Sequence, residues 1–416
     1  MDLHPPVLHQ ARFSRRPGRL HRRHAFLHAR LRQVRQGAAA SAQTRTGPAV
    51  KILELCTSDG VGGLELYALR STAALQRQGH DVMAVVRPGT MLQQRLGEQG
   101  LAHVALPRRS RALPLLAAWR LARLIDRAGV DVVHMHWGHD LLLAVLAKRW
   151  ARRPVRLVYT RQMALTRRKS DAYHRFLYRQ IDLYLTITDK LLQQARQLLP
   201  LPPARVQRLY YGVPAPTAMS AAERRVLRHS LNIPERVFAV GLVGRMEEQK
   251  GQHLLIEAVQ HLRAAGIPAH ATLIGPAMDE PYQQRLRREV EERGLGEAVV
   301  LYGPHRSPMD IMPAFDAIVL ATRMETFGLV LAEAMRCGVA VIGTHAGGVP
   351  EIIEDGVSGL LFTPEDAVHL ARQLEHLARN DALRQQLAAA GKARADDLFA
   401  EEQHYRRLAD ILLDGV

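Results

Sequence analysis

The chain has 416 residues and a formal net charge of +17, and 47% of its residues are hydrophobic. A single core rarely grows beyond about 250–300 residues, so we expect two globular domains. The longest aliphatic stretch, residues 141–147, is much shorter than the roughly 18 residues that a membrane-spanning helix needs. Aromatic residues make up only 5%, and no helix-turn-helix, zinc or base-stacking pattern is present, so no nucleic-acid partner is expected.

The positive charge is concentrated in the first half of the chain. Residues 1–50 carry a net charge of +9 and residues 51–200 carry +13, whereas residues 201–416 carry −5. This imbalance predicts that the first half meets an anionic surface, such as an anionic membrane or an acidic glycolipid. The alternative is that the charges belong to solvated helix faces. Three basic clusters lie near apolar side chains in this half: Arg108-Arg109-Ser110-Arg111, residues 148–153 and Arg167-Arg168-Lys169, with Leu113, Leu115, Leu116 and Trp119.

Residues 1–48 form a basic leader that is rich in Arg, His, Pro and Ala. It has no apolar segment typical of a secretory signal, and its composition predicts disorder. An organellar transit peptide would explain it, but Arg outnumbers Lys 51 to 6 across the chain, so translation begun upstream of a true start near Val50 explains it better. The two cysteines, Cys56 and Cys337, lie in apolar segments, which indicates buried thiols in a reducing compartment. We therefore expect a cytoplasmic protein at the inner face of the cytoplasmic membrane.

From Val50 onward, apolar runs of strand length alternate with amphipathic helical segments. This alternation predicts α/β domains with parallel sheets covered by helices. A Pro-rich stretch at 199–203, followed by 208–214, looks like a joint between two such domains. We expect strands at 51–56, 81–86, 130–134, 155–160, 181–187, 237–243, 269–274, 299–302, 317–320 and 339–342, and helices at 64–78, 113–128, 141–150, 189–199, 252–265, 282–293 and 401–413.

Two features follow strands in the first half. The loop Asp59-Gly60-Val61-Gly62-Gly63-Leu64-Glu65 lies between the first strand and the first helix. It departs from the dinucleotide pattern G-x-G-x-x-G because Glu65 replaces the third glycine, which argues against a nicotinamide dehydrogenase. The second feature is Asp131-Val-Val-His134-Met-His136-Trp137, at the end of a strand. A histidine at such a position is more often structural than catalytic.

A pair of cations follows the first strand of the second half. Arg245 and Lys250 lie in the loop that leads from this strand to the next helix, beside Gly244. An exposed loop with ordinary charges is the simpler reading, but two cations at a strand end can also bind a diphosphate. No acidic metal-binding pattern is evident, so we expect the cations to do the work of a divalent metal and expect no cofactor.

Two carboxylates surround the start of a helix near residue 328. Phe327-Gly328 begins the helix, Gly338 ends it, and Glu325 and Glu333 lie before and inside it. Amides at the helix start attract phosphate, Glu333 can accept hydrogen bonds from a ribose diol, and Glu325 can face sugar hydroxyls. A glycosidase pair needs carboxylates about 5–5.5 or 6.5–9.5 Å apart. Eight residues of helix would separate the two by about 12 Å, so hydrolysis fits poorly.

The run from Glu325 to Phe362, with Gly347-Gly348-Val-Pro-Glu351 and Asp355-Gly356-Val-Ser-Gly359, resembles the signature of glycosyltransferase family 4. These are retaining enzymes of the GT-B fold. The resemblance implies two Rossmann-like domains that face each other across a cleft: an acceptor-side domain at 49–208 and a nucleotide-sugar domain at 209–400, with a helix at 401–416 that crosses back to the first.

The same resemblance implies a role for individual residues. Catalysis would depend on Arg245, Lys250, Glu325 and His136, whereas His134 would pack. The donor would be bound by Gly62, Gly63, Gly244, Phe327, Gly328, Leu329 and Glu333. The implied reaction moves a hexose-like sugar from a UDP- or GDP-sugar to a membrane-associated glycan or lipid, as in cell-envelope polysaccharide or lipopolysaccharide synthesis. In this retaining route the leaving phosphate takes the acceptor proton.

Two alternatives are a nucleotide-sugar epimerase of the same fold, which needs no acceptor, and a non-catalytic protein that binds anionic surfaces. The chain also departs from the family pattern twice. Tyr211 replaces an asparagine at the domain joint, and Arg161-Gln162 replaces a loop Asn or His after the fourth expected strand. The second change lies near the acceptor side, so the identity of the acceptor is open.

Overall fold

Residues 50–60, 62–107 and 113–414 are described by the computed structural model. Within them, seven parallel strands form a first sheet in the order β3-β2-β1-β4-β5-β6-β7. The strands are buried on both faces and are mostly apolar, and Leu53, Leu55 and Val85 are fully buried. The strands are β1 Lys51–Cys56, β2 Asp81–Val86, β3 His103–Ala105, β4 Val132–Met135, β5 Arg156–Arg161, β6 Leu183–Thr186 and β7 Val206–Arg208.

Six described α-helices connect these strands and cover the sheet. Each buries one apolar stripe; α3, for example, buries Ala118, Leu121, Ala122 and Ile125 and ends at Gly129, which has a left-handed conformation. The helices are α1 Gly63–Arg77, α2 Met91–Glu98, α3 Leu115–Ala128, α4 Leu141–Trp150, α5 Ala172–Arg179 and α6 Asp189–Leu198.

A second sheet contains six described parallel strands in the order β10-β9-β8-β11-β12-β13. Its strands are β8 Phe238–Val243, β9 Ala269–Ile274, β10 Val299–Gly303, β11 Ala317–Leu320, β12 Ala340–Thr344 and β13 Leu360–Phe362. The accompanying helices are α7 Ala221–Ser230, α8 Gln252–Ala264, α9 Glu280–Glu292, α10 Leu329–Arg336, α11 Val349–Ile352, α12 Ala367–Arg379, α13 Asp381–Leu398 and α14 Glu401–Leu413.

In both sheets the order in which the chain adds strands reverses at the same point. The chain moves outward from β1 to β3 and then returns to place β4 beside β1; β8 and β11 repeat this arrangement. Ligands of open parallel sheets bind beyond the carboxyl ends of the strands at such a reversal. The expectation of two Rossmann-like α/β domains is confirmed, and the fold directs the search for a site to the loops after β1, β4, β8 and β11.

Apolar contacts join the two halves. One core cluster contains residues of both halves, among them Leu185, Phe315, Phe327 and Tyr405. The last helix, α14, contacts the first half directly: the Tyr67 hydroxyl lies 3.0 Å from His404 Nε2, and the Arg156 guanidinium donates to the Ile411 carbonyl at 2.7 Å. In the part of the chain that the structure describes, no helix is both long enough and apolar enough to cross a membrane.

Candidate active site

The loops after β8 and β11 meet, and they bring Lys250 to Glu325. The Thr322 hydroxyl donates to the Gln249 carbonyl at 3.0 Å, which ties the two loops together. The ammonium Nζ of Lys250 then lies 2.9 Å from Glu325 Oε2, and both side chains are mostly shielded from solvent. Lys250 and Glu325, which the sequence predicts for one site, are therefore in direct contact although they are 75 residues apart in the chain.

Glycines fix this junction because backbone atoms approach closely. Gly251 has φ +71°, and a Cβ there would lie 2.2 Å from the carbonyl oxygen of Ala321. Gly347 has φ +66°, and its Cβ would lie 1.9 Å from the carbonyl oxygen of Glu325. The amide of Gly348 also donates to that oxygen at 2.8 Å. A larger residue at Gly251 or Gly347 would therefore displace the backbone that carries Lys250 or Glu325.

Arg245 lies at the outer side of the same loop. Its guanidinium Nη2 is 2.9 Å from Glu247 Oε1, and the side chain is half exposed. Gly244, which was expected to bind the donor, uses its amide to donate to the Ile274 carbonyl at 2.9 Å. That amide is therefore not free to bind a phosphate, and the loop offers the two side-chain cations instead.

Helix α10 begins beside this cluster at Gly328, which has φ +104°. No described side chain caps the helix start, so the amides of Leu329 and the next residue have no side-chain acceptor among the described residues. Glu333 lies inside the helix and is 9% exposed. Burial raises the pKa of Glu333 to about 7, and the positive charge of Arg70 acts against this rise.

Phe327 is in the core and does not line an open surface. It is 2% exposed, and its ring packs edge-on against Tyr211 at 5.1 Å and Phe399 at 5.6 Å between ring centroids. The ring therefore anchors the start of α10 in the core, and the direct donor contact that its place in the motif suggested stays a prediction.

In the first half, the glycine loop after β1 is closed by an acidic side chain. The Gly62 amide donates to Glu65 Oε2 at 2.9 Å, and Glu65 is 5% exposed. A Cβ added at Gly63 would meet no described atom within 4 Å. A carboxylate at the start of α1 disfavours an anion there, so the loop is less suited to bind a diphosphate than its glycines indicated.

His136 follows β4 and belongs to a buried polar cluster with His134 and Glu54. His136 Nε2 bonds Glu54 Oε2, His134 Nδ1 lies 3.1 Å from Glu54 Oε1, and the Ser71 hydroxyl donates to Glu54 Oε1 at 2.8 Å. Burial would raise the pKa of Glu54, but the two histidines outweigh it and hold that pKa below its usual range. Burial, assisted by His134, lowers the pKa of His136 from its usual value, and the carboxylate of Glu54 acts against this shift.

The same three residues could offer ligands to a metal. One atom from each of Glu54, His134 and His136 lies within 4.8 Å of the others. Hydrogen bonds account for the arrangement as it stands, because the carboxylate has three donors and His134 Nε2 is 2.7 Å from the Thr160 hydroxyl. His134, which was expected to pack, is a member of this network.

Comparison with known proteins identifies the family. The model described as Glycosyltransferase Family 4 matches residues 61–217, and the model described as Glycosyl transferases group 1 matches residues 223–394. A 2-deoxystreptamine N-acetyl-D-glucosaminyltransferase of Streptomyces fradiae is 30% identical over 395 residues, which cover 84% of this chain and 91% of that protein. The chain belongs to glycosyltransferase family 4. It is a nucleotide-sugar-dependent glycosyltransferase.

Two further proteins resemble this family 4 glycosyltransferase. A D-inositol 3-phosphate glycosyltransferase of Mycobacterium tuberculosis is 25% identical over 347 residues, with 76% of this chain and 71% of that protein covered. The crystal structure of HepE from Anabaena in complex with UDP superposes with a TM-score of 0.78 at 22% identity, covering 88% of this chain and all of HepE. The second likeness establishes the GT-B fold.

The two departures of this glycosyltransferase from the family pattern contact each other. The Tyr211 hydroxyl donates to Gln162 Oε1 at 2.5 Å, and both side chains are buried. Arg161 binds its own loop: its guanidinium donates to the Met163 carbonyl at 2.7 Å and the Ala164 carbonyl at 3.0 Å. The two departures are therefore joined by one buried hydrogen bond, and Arg161 holds the loop at 163–164.

Sequence reasoning missed three residues of the transferase. Glu54 gave no signal beyond one acid in an apolar strand. Arg70, on α1, influences the pKa of Glu333 from the opposite half. Glu351 belongs to the recognised Gly-Gly-Val-Pro-Glu run, but its partners are distant: its carboxylate accepts from the amides of Asp189 at 2.6 Å and Lys190 at 2.9 Å, at the start of α6.

Proposed function

We propose that this glycosyltransferase transfers a hexose-like sugar from a UDP- or GDP-sugar, with retention of anomeric configuration, to a glycan or glycolipid acceptor at an anionic membrane surface. The observation that carries the proposal is the contact of Lys250 with Glu325, 2.9 Å apart, beside the uncapped start of α10. A cation, a sugar-facing carboxylate and free helix amides at one strand edge suit a donor whose charge is on a diphosphate.

The donor would place its diphosphate at the start of α10, between Arg245 and Lys250, and its ribose near Glu333. Charge builds up on the leaving diphosphate during transfer, and preorganised cations stabilise it without a metal. HepE binds UDP in its crystal structure, which supports a uridine nucleotide as the first donor to test.

In this proposal the acceptor oxygen bonds to the anomeric carbon on the face where the bond to the diphosphate oxygen breaks, so the configuration is retained. The leaving phosphate, held by the two cations, accepts the proton of the acceptor hydroxyl on the face from which it departs. A separate base is then unnecessary. His136 is bonded to Glu54 through Nε2, which suits a role in binding the sugar better than a role in moving protons.

The membrane surface would be formed by exposed aromatic and basic side chains of the first half. Trp119 is 47% exposed with the Arg123 guanidinium over its ring at 4.8 Å, and Phe176 is 41% exposed with Arg149 at 5.9 Å. Aromatic rings beside cations suit a headgroup layer. Leu113, Leu115 and Leu116 are exposed on the same segment as Trp119.

The basic clusters contribute less than the sequence suggested. Lys148 is bonded to Asp182, and Arg153 Nη2 lies 2.6 Å from Asp131, so neither is free to meet a headgroup. The cluster at 108–111 lies outside the described residues, as does the leader at 1–48. Of residues 148–153, Arg149 and Arg152 are the side chains that support the surface.

A second acceptor class has its own support. The two curated relatives are named for 2-deoxystreptamine and D-inositol 3-phosphate, which are small polar ring alcohols, and each relative aligns with more than three quarters of this chain. A soluble cyclitol acceptor is therefore the alternative. It shares the donor site with the main proposal and differs from it in needing no membrane.

Thermal-shift measurements with nucleoside diphosphates and their sugars test the donor. A ligand at 100 times its dissociation constant should raise the free energy of unfolding by about 2.7 kcal/mol. Lys250→Ala is the matched control and should lose most of this stabilisation. Stabilisation by no nucleotide would overturn the donor assignment.

Transfer assays with the preferred donor then separate the reactions. Lipid-linked glycans are compared with free cyclitols, and the anomeric configuration of the product is read by NMR. Inversion would contradict the retaining route. Release of nucleotide and an epimerised sugar without any acceptor would indicate an epimerase, and binding without turnover would indicate a protein that has lost catalysis.

A further inference from the structure

Glu54 is a fully buried carboxylate in the middle of β1. It is 1% exposed and lies directly beside His134 in the register of β1 and β4. No role in the transfer reaction explains an acid at this depth. A buried carboxylate is costly unless its oxygens are hydrogen-bonded, and here His134, His136 and Ser71 supply three donors.

The hydrogen bonds determine which nitrogen of each imidazole carries a proton. An ionised carboxylate can only accept, so His136 must donate through Nε2–H and His134 through Nδ1–H. The Nε2 atom of His134 then accepts from the Thr160 hydroxyl at 2.7 Å. The Nδ1 atom of His136 has a free lone pair, is buried, and has no partner among the described residues.

The ring of His136 is also held from its sides. Its centroid lies 4.4 Å from that of His134 and 5.5 Å from that of Tyr67, both at steep angles. Its backbone amide donates to the Leu55 carbonyl at 3.1 Å, at the carboxyl end of β1. Position, rotation and protonation of the ring are therefore all fixed before any ligand arrives.

We infer that Glu54 is a positioning residue, which holds His136 in the Nε2–H tautomer so that Nδ1 accepts a hydrogen bond from a hydroxyl of the donor sugar. The inference rests on the proposed function, since it assumes that His136 meets the sugar of a nucleotide-sugar. It adds that the imidazole of His136 acts as a hydrogen-bond acceptor, and that Glu54, the residue that fixes its tautomer, lies on β1, whereas His136 follows β4.

The amide of glutamine cannot replace this carboxylate. Ser71 and His134 both donate to Oε1 of Glu54, so in the Glu54→Gln variant the remaining side-chain oxygen would stay on their side, and the amide nitrogen would face His136. Two donors would then oppose each other. His136 would relieve this by moving its proton to Nδ1, which places a donor where the wild-type ring presents an acceptor, so the sugar hydroxyl would have to reverse its own hydrogen bond.

The first test observes the tautomer itself. The full-length protein is labelled with ¹⁵N-histidine, and the ring nitrogens of His136 are identified by their loss in His136→Gln. We expect protonated Nε2 and bare Nδ1 in the wild type, and the reverse in Glu54→Gln. Asp140→Asn is the matched control, because Asp140 is also a fully buried carboxylate of the first half and bonds the Thr57 amide at 2.8 Å; it should leave His136 unchanged.

The second test is a double-mutant cycle on donor turnover. Glu54→Gln should lower kcat/KM about 10- to 100-fold, as expected for loss of one hydrogen bond to the reacting ligand. In the His136→Gln background the same change should have little further effect, because Glu54 acts through His136. Glu54→Asp should restore the wild-type tautomer and part of the rate.

Three results would overturn the inference: bare Nε2 in the wild type, an unchanged tautomer in Glu54→Gln, or additive losses in the cycle. Failure of the proposed function looks different. The wild type would then show the inferred tautomer but neither bind nor turn over any nucleotide-sugar, and nucleotide addition would not move the His136 signals.

Discussion

Both halves place charged and polar side chains near the carboxyl ends of the parallel strands, but the two halves position these side chains differently. In the second half, Arg245 and Lys250 share one loop and Glu325 and Glu333 share one motif, and Gly251 and Gly347 allow these segments, 75 residues apart, to approach closely. In the first half, Glu54 lies within β1 and His136 follows β4, and the two are 82 residues apart. A site made of loop motifs can be read from sequence, whereas one made of paired strands emerges only with the register.

The largest expected effect lies in the second half. Lys250→Ala should lower turnover at least about 100-fold, because it removes a preorganised cation from the leaving diphosphate. Arg245→Ala should act in the same direction, with a smaller loss because its side chain is half exposed. Steady-state kinetics on folded variants measure both.

The control for these variants is Arg285→Ala. Arg285 forms an exposed ion pair with Glu248 in the same loop, 3.0 Å apart, and should be dispensable for turnover. EDTA should change the rate little. Strict dependence on a divalent metal, or near-normal rates in both cation variants, would contradict the proposal that Arg245 and Lys250 bind the diphosphate.

Glu325→Gln tests the proposal that Glu325 faces the sugar. It removes the charge that holds Lys250 at 2.9 Å and should lower kcat by about 10- to 100-fold while UDP binding changes little. Calorimetric titration of UDP and single-turnover kinetics separate the two effects. Glu248→Gln is the exposed control in the neighbouring loop. Equal losses in UDP affinity and in kcat would show that Glu325 binds the nucleotide and not the sugar.

Glu333 predicts a pH dependence of donor binding. Its pKa is raised from 4.5 to about 7, and only the carboxylate can accept from both ribose hydroxyls. Donor affinity should therefore rise as pH increases through about 7, by about tenfold between pH 6 and 8. Affinity is measured with a UDP-sugar, whose diphosphate does not titrate in this range. In Glu333→Gln the affinity should be lower and independent of pH; an unchanged slope would assign the titration to another group.

The raised pKa of Glu333 also makes the free energy of unfolding depend on pH, in the direction opposite to donor affinity. Between pH 4.5 and 7 the folded state keeps the proton on Glu333, whereas the unfolded state releases it. The contribution of Glu333 to stability is therefore largest at low pH and is lost as pH rises through the folded pKa. Donor binding and stability should respond to pH in opposite directions, and Glu333→Gln should remove both responses.

The comparison between the two halves also explains how far prediction reached. Six elements have the bounds expected from sequence: the strands at 51–56, 81–86, 269–274 and 317–320 and the helices at 141–150 and 401–413. Long apolar or amphipathic runs have a clear hydrophobic period, which predicts the type of element. The three-residue strands β3, β7 and β13 were missed because so short a segment shows no period. Helix α13 was missed because its apolar residues do not follow one face.

The burial and the contacts of individual side chains were harder to predict from sequence than the bounds of the helices and strands. Phe327 belongs to the donor motif, but its ring lies in the core. Cys337 was expected to be buried and is only partly so. Glu65 was noticed as the residue that breaks a dinucleotide pattern, yet its bond to the Gly62 amide required the turn to be seen. Each of these outcomes depends on neighbours that are distant in sequence or on a backbone turn that composition does not specify.

Glu351 joins the two halves and should affect stability moderately. Its carboxylate accepts from the amides of Asp189 and Lys190 at the start of α6. Glu351→Gln leaves one acceptor oxygen for two amides and removes the favourable charge at a helix start, at a cost of about 1 kcal/mol. Calorimetry should show a lower unfolding temperature, by roughly 2–4 °C for domains of this size. Glu354→Gln, which affects an exposed pair with Arg394, is the control; equal shifts in both variants would argue against a special role for Glu351.

The smallest expected effect concerns the surface of the first half, and it tests whether that half meets a membrane at all. Arg149→Gln removes the cation above the exposed Phe176 ring and should weaken binding to anionic vesicles by about 1 kcal/mol, with binding by either protein decreasing as salt rises. Sedimentation is measured with anionic and neutral vesicles, for chains with and without residues 1–48, because the basic leader could produce the effect by itself. Arg263→Gln, in the second half, is the matched control and should change nothing. If the shortened protein stays in the supernatant with anionic vesicles at low salt, the first half does not bind membranes, and a soluble cyclitol becomes the better acceptor.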